Sequence, residues 1–443
     1  MEPKVKEKQV FNLLRPNAAG IDIASNMHYV AVPADRDEQC VRKFGSFTQD
    51  LHDMANWLKL CKIDTIAMES TGVYWIQPFL VLEEYGFEVF LVNAQHIKNV
   101  SGRKSDVKDC QWIQQLHSYG LLNRSFQPDD MIRELRTYQR HRKDLTHGYS
   151  SQVQLMQKAF EQMNIKLHNV LSDITGKSGS LIINAILGGE RDARVLAELA
   201  DKNVKASKED IIKSLQGIWR QDNLFELKQA YELFLFYREK IKACDIQIES
   251  VLQKITDTTG RQVSKTKSRK ASGKNKFNFD ASSYLTSMVG ANITDIFGIS
   301  EITATDILSE TGTDLSKWPT EKQFTSWLNL APNTRISGGK NLKNKHIKKK
   351  NHAGQAFLMA ASSLKASNNW LGEFYRRLKS KSGAPTAIKA TARKLAIIFY
   401  KMVRFNQLFE PLDVQKYNQY FKERRLKYIN NQALNYGYKL IAV

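Results

Sequence analysis

Hydrophobic and polar positions over the first 125 residues alternate between two periods. AAGIDIA (18–24) is a short apolar run led by Gly, as in a buried strand. HYVAVPA (28–34) and CVRKFGSF (40–47) follow across the polar turn ADRDEQ and read as a hairpin completing a meander. Then the period lengthens: Leu51, Met54, Leu58 and Cys61 fall on one side of a helix. DTIAMES (64–70) is a fourth strand and YWIQPFLVLEEYG a helix ending at Gly86. EVFLVNA (88–94) is a fifth strand, and SDVKDCQWIQQLHSYG a helix with Ser105 as its N-cap. Three strands, helix, strand, helix, strand, helix predict an α/β domain over 15–125, an RNase H-like (RuvC-like) mixed sheet with helices on its faces.

Beyond it the pattern is helical. Leu135, Tyr138, Leu145, Tyr149, Met156 and Met163 keep a three-four spacing across 131–172, interrupted by Arg142 and Gln152. Residues 224–253 repeat it with Leu227, Ala230, Phe234, Tyr237, Ile241, Cys244, Ile248 and Val251. Such spacing fits a coiled coil, within one chain or between two, or a helical hairpin packed on its own domain. A helical coiled-coil region is therefore expected over 126–253, with a mixed insertion at 173–223. Residues 254–280 are rich in Lys, Ser and Thr and nearly free of apolar residues until Phe277, which predicts a mobile basic linker. From 281 to 405 the chain reads as a mainly helical domain, with helices around ITATDILSETG, FTSWLNLA, AFLMAASSLKA and TAIKATARKLAIIFYKMV; a helical tail follows over 406–443. Trp318, Trp327 and Trp370 are expected to pack in the core.

Charge then narrows the function. Lys and Arg number 66 against 45 Asp and Glu, a net charge of +21 over 443 residues. An excess of that size predicts a polyanionic partner, nucleic acid before an acidic membrane surface. No apolar run approaches the ~20 residues of a spanning helix, and the start MEPKVKEKQVFNLL has no signal-peptide core. A cytoplasmic protein of a bacterium or archaeon, with no membrane partner, is expected. The four cysteines, scattered without metal-ligand spacing, fit reduced thiols.

Four carboxylates occupy positions that this topology brings together. Asp22 lies inside the first strand, Glu69 closes the fourth, and Asp106 and Asp109 open the helix after the fifth, one turn apart on one face. In an RNase H-like sheet the first and fourth strands are neighbours, and the last helix lies across their ends. Oxygen-only ligands suit Mg²⁺, and two such ions would activate and stabilise oxygens at a scissile phosphate. Each residue also has a plainer role. Asp22 can satisfy strand-end amides, Glu69 can cap the following helix, and Asp106 and Asp109 favour any helix N-terminus. It is the coincidence of all four that favours metal. Lys104 and Lys108 flank the pair, where they reach a phosphate or simply form a solvated face.

GIDIA, MESTGVYW and SDVKDCQW resemble the DEDD motif blocks of insertion-sequence-110 type (Piv/MooV group) transposases, whose acidic domain is similar to a Holliday-junction resolvase. ITDIFGISEITATDILSETG resembles the family's helix-hairpin-helix segment, with Ser300 where a second Gly is usual. FTSWLNLAPNTRISGGK resembles the block carrying its nucleophilic serine, here Ser337, and HAGQAFLMAASSL its closing helix. The likeness covers roughly 15–172 and 281–405. It implies a bridge-RNA-guided recombinase of a mobile element, acting on donor and target DNA with Mg²⁺. It also implies a serine that forms a covalent phosphoserine link in a composite site, a structured guide RNA, and a homo-oligomer, dimer or tetramer.

Read from its neighbours alone, Ser337 lies in a polar loop, RISGGKN, whose glycines allow close backbone approach to a phosphate; Ser-Gly-Gly is equally an ordinary turn. Arg335 and Lys340 flank it, and the run NLKNKHIKKKNH adds Lys343, Lys345, Lys348, Lys349 and Lys350, all candidate phosphate contacts. Two other functions share most of these features: a junction-resolving nuclease using only the acidic cluster, and a non-catalytic RNA- or DNA-binding protein on a recombinase fold.

Overall fold

Five strands form where the alternation places them: β1 (Ala18–Ile23), β2 (Met27–Ala31), β3 (Val41–Gly45), β4 (Thr65–Glu69) and β5 (Glu88–Val92). The computed structural model describes residues 13–93, 106–261, 263, 275–332, 335–338, 340–342, 351–439 and 441. The chain divides into two compact units, Met1–Gln127 and Pro128–Val443.

In the first unit the strands lie in the order β3-β2-β1-β4-β5. The β3-β2-β1 meander is antiparallel, while β1-β4 and β4-β5 are parallel. Helix α1 (Thr48–Leu60) leads from β3 to β4, α2 (Ile76–Glu84) from β4 to β5, and α3 (Asp106–Ser118) comes after β5. Alternation assigns the two faces. Ala19, Ile21, Ile66, Met68, Val89 and Leu91 pack with Met54 and Leu58 of α1 and Phe79 and Leu82 of α2. The odd-and-even partners Ala67, Phe90 and Val92 turn the other way, onto Ile113 of α3 and Leu122. This is an RNase H-like sheet covered on both faces.

The second unit begins with two long helices, α4 (Asp130–Gln162) and, after a four-helix insertion, α9 (Gln221–Thr259). The insertion consists of α5 (Leu167–Val170), α6 (Lys177–Leu187), α7 (Ala193–Glu198) and α8 (Lys208–Ser214). Glu134 meets Lys254, Arg142 meets Asp245, and Tyr149 meets Phe234, so α4 and α9 run antiparallel and pair within the chain. The insertion closes one end of the hairpin over Phe160, Ile182, Ile186, Leu196, Ile211 and Phe234.

Two polar residues of α4 are buried, one of them Arg142, which interrupts its heptads. Gln139 and Arg142 are 3 % and 2 % exposed. Arg142 donates to Asp245 at 2.5 Å, to Asn275 at 2.8 Å and to the Lys276 carbonyl at 3.0 Å, and Asp245 accepts from Asn278. This network corrects the expectation of a loose linker over 254–280. Residues 254–259 belong to α9, and 275–278 are fastened to the hairpin because a buried guanidinium and carboxylate must satisfy their remaining hydrogen-bond capacity. Residues 264–274 lie outside the described ones.

The rest of the unit is helical: α10 (Ala281–Val289), a 3-10 turn (Ile293–Asp295), α11 (Glu301–Thr311) and α12 (Glu321–Trp327), then the strand pair β6 (Arg335–Ser337) and β7 (Lys340–Leu342). Next come α13 (His352–Ser363), α14 (Trp370–Ser382), α15 (Ala384–Phe405) and α16 (Val414–Asn435). Phe324, Phe357, Phe399 and Tyr400 form an aromatic core, with the Tyr400 hydroxyl donating to the Trp318 carbonyl at 2.6 Å. Trp318 and Trp370 are buried and Trp327 is half-buried against Trp318, as packing residues. The segment resembling a helix-hairpin-helix contains a 3-10 turn and one full helix, α11, whose N-cap is Ser300. Among the described residues no helix is long and apolar enough to cross a membrane, and all four cysteines are free thiols.

Candidate active site

The parallel register of β1 and β4 pairs Ala18 with Thr65, Gly20 with Ala67 and Ile21 with Met68. One further step along both strands sets Asp22 level with Glu69. Side chains alternate, so Asp22 follows Gly20, and Glu69 follows Ala67, onto the face covered by α3. Both carboxylates sit at the C-terminal ends of neighbouring strands and are half-buried.

The first turn of α3 reaches the same level. Gln114 Nε2 donates to the Ala18 carbonyl at 3.3 Å. A Cβ built on Gly20 would stand 2.4 Å from the Cys110 carbonyl oxygen and 2.3 Å from the Gln114 nitrogen. Helix backbone thus rests directly on strand backbone, a contact open only to glycine here. From Gln114 toward Asp106 the helix runs alongside β1 from Ala18 toward Asp22. From the Cys110–Gln114 turn against Gly20, one helical turn rises about 5 Å and two strand residues about 7 Å, so the first turn of α3 lies near the level of Asp22. Electrostatics agree. Burial, joined by the negative charges of Asp22 and Asp109, pushes the Cys110 thiol up to about 12. Asp109 is half-buried and Lys108 exposed; the side chain of Asp106 is outside the described residues, as are Lys104 and Ser105.

Thr71, unforeseen in the sequence, donates its hydroxyl to Glu69 Oε1 at 3.1 Å from the turn after β4. The Glu-Ser-Thr run at a strand end is the signal that would have found it. The donor set is all carboxylate oxygen, the chemistry a hard divalent cation prefers. Among the described residues no three His, Cys, Asp or Glu side chains stand in a group able to hold a metal ion.

Ser337 lies in the second unit. It is the last residue of β6, paired with Lys340 across a two-residue turn in which Gly338 has φ +54°. The polar loop expected from the sequence is therefore a tight β-hairpin; Gly at a left-handed turn position and alternating RIS and KNL strands explain it. Arg335 pairs with Leu342 at the open end. Lys343, Lys345, Lys348, Lys349 and Lys350 lie outside the described residues.

Two family models match the chain. One, of the IS110 DEDD type and described as Transposase, covers residues 19–165; the other, described as Transposase IS116/IS110/IS902 family, covers 290–376. The chain belongs to the IS110-type transposases. Together the two matches take in a little over half of this transposase. The four acidic positions fall in the first match and Ser337 in the second. The insertion α5–α8, helix α9 and the tail α16 fall in neither. Comparison with curated proteins finds no match. Membership makes DNA the substrate and strand cleavage with rejoining the activity class.

Proposed function

We propose that this transposase excises and inserts its element by a metal-dependent, RNA-guided strand exchange in which Ser337 is the nucleophile. The observation that carries the acidic half is the level of Asp22, Glu69 and the first turn of α3 on one face of the sheet. Asp22, Glu69, Asp106 and Asp109 would hold Mg²⁺. Bound there, the cation supplies Lewis-acid stabilisation of charge on phosphate oxygens.

The Ser337 oxygen bonds to a DNA phosphorus and loses its proton. The bond from that phosphorus to one sugar oxygen breaks, and the released oxygen takes up a proton. Reversal with a different strand end reseals the backbone and frees the serine. The hairpin turn supports this reading, since the residue beside Ser337 in the turn is Gly338, which brings no side chain of its own. Arg335 and Lys340 are the flanking cations for the negative charge that develops. The guide RNA, the oligomer and the basic run 343–350 as a phosphate contact rest on the family likeness and on the net charge of +21.

Asp22→Asn and Glu69→Gln test the acidic half. Both are isosteric, and both should bind DNA normally yet lose Mg²⁺-dependent cleavage of element-end DNA. Near-normal cleavage by either variant removes that residue from the site.

A further inference from the structure

We propose that helix α16 lies in the major groove of duplex DNA. The inference rests on the reading of the chain as a DNA-handling transposase and adds a binding element that neither family match covers. The helix is anchored by its first turns. The Lys416 backbone N–H donates to the capping Asp413 carboxylate at 2.8 Å. Arg377 of α14 donates to the Tyr417 hydroxyl at 2.5 Å, and its guanidinium stands 3.3 Å from the centre of the Phe421 ring. Beyond Phe421, among the described residues, no hydrogen bond, ion pair or ring contact ties the helix to the rest of the chain. No residue of α16 is buried, and from Lys422 to Asn435 all but Asn430 and Ala433 are exposed.

The charge on this helix says what covers it. Lys416, Lys422, Arg424, Arg425 and Lys427 stand against one acid, Glu423. Among the described residues none of the five cations has an ion pair, and Glu423 accepts from Gln419 at 2.7 Å instead. Each residue turns the helix by about 100°, so Lys422, Arg424, Arg425 and Lys427 spread round its whole circumference. The exposed apolar side chains Tyr420, Leu426, Tyr428, Ile429 and Leu434 are spread in the same way. They form no stripe for a partner helix, a protein groove or a membrane surface, and a second copy of the helix would bring like charge. Cations on every side suit a partner that surrounds the helix with negative charge. The major groove of B-DNA is about 12 Å wide, with a row of phosphates along each wall, and a helix with its side chains is about 10–12 Å across. Continuous basic helices occupy that groove in other folds. The A-form major groove of duplex RNA is too narrow for one, and a single strand offers phosphates to one side only. Exposed Asn431 and Gln432 add amides of the kind that pair with adenine edges. Cutting and rejoining DNA leaves duplex on both sides of the break, which gives the helix its substrate.

Binding of the full-length protein to a mixed-sequence DNA duplex, followed by fluorescence anisotropy through a salt series, tests this. The triple variant Arg424→Gln, Arg425→Gln, Lys427→Gln should melt as the parent does, because all three side chains are exposed and outside any ion pair. Its plot of log affinity against log salt should be shallower by about 2.7, since each lost phosphate contact removes about 0.9, and its affinity in moderate salt should fall about tenfold or more. The same duplex carrying glucosylated 5-hydroxymethylcytosine, whose sugars fill the major groove, should weaken the parent by a similar factor and the variant much less. Unchanged slope and affinity in the triple variant overturn the inference and leave the transposase reading intact. A parent indifferent to the groove sugars, or weakened by them no more than the variant, also overturns it. So does a variant that keeps its DNA affinity but loses binding to duplex RNA or self-association in sedimentation. Failure of the parent to bind any DNA duplex at low salt overturns both.

Discussion

Gly20→Ala is the smallest change that separates the position of α3 from the chemistry of its carboxylates. The added methyl would lie 2.3 Å from the Gln114 nitrogen and 2.4 Å from the Cys110 oxygen, both backbone atoms of a helix that cannot rotate away. Ordinary contact begins near 3.4 Å, so α3 must lift from β1 by roughly 1 Å. Overpacking of this kind costs about 1–3 kcal/mol, a fall of roughly 4–12 °C in the melting point of this unit. The first turn of α3 moves with the helix. A displacement of ~1 Å at reacting groups costs about 10²-fold in rate, so cleavage should fall far more than the loss of folded protein explains. Gly45→Ala is the control. Its methyl would first meet the Asp50 carboxylate, at 2.1 Å, a side chain able to turn aside, where Gly20 meets helix backbone. Cleavage of element-end DNA at a temperature where both variants are folded gives the answer. Gly20→Ala activity within about threefold of the parent, with an unchanged melting point, would refute the argument that this glycine sets the acidic group.

Other predictions concern the scaffold. Arg142→Leu or Asp245→Leu alone should destabilise the second unit by about 3–5 kcal/mol, since each strands a buried charge. The double variant should lose much less than the sum, as measured by denaturant unfolding. His117, wholly buried with Nε2 on the Thr65 hydroxyl at 2.9 Å, is held down to about 4 by burial and by the nearby Arg15 charge. The folded state therefore binds fewer protons than the unfolded state between that value and the ordinary 6.5. Stability from this group is complete above pH 6.5 and drains away as pH falls toward 4, by roughly 3 kcal/mol. His117→Gln should flatten that limb of the stability profile of the first unit; an unchanged slope would show that His117 does not drive it.

The sheet was legible because burial on both faces leaves unbroken apolar runs, and the turns between them carry charge. The face that carries the two carboxylates was legible too: a single Asp in AAGIDI and a Glu closing TIAME stand out against apolar neighbours. What α3 needed from β1, the bare glycine at position 20, was not, because glycine in a strand reads equally as weakness or as close approach. In the helical hairpin, periodicity found the apolar positions Leu135, Met156, Phe234, Ile248 and Val251, which are buried. It counts only apolar residues, so Arg142 read as an interruption and Asp245 carried no signal, although the two meet in the buried seam. Helix α10 hid in a Ser-rich stretch, and α14, WLGEFYRRLKSKS, in a charged one; tertiary packing of Leu285 and Met288, and of Trp370, Leu371 and Tyr375, decides both. Ser337 carried no signal of its own beyond a turn sequence, and its strand pairing comes from the hairpin it closes.

The central claim is that one acidic group and one serine cut the same DNA strand. End-labelled element DNA, incubated with the protein, the guide RNA proposed for it and Mg²⁺, then run on a denaturing gel, tests it most directly. A protein–DNA adduct whose linkage maps by mass spectrometry to Ser337, absent in Ser337→Ala and in Asp22→Asn though both still bind DNA, is the predicted result. An adduct formed normally by Ser337→Ala, or strand exchange without any protein-linked DNA, would contradict it.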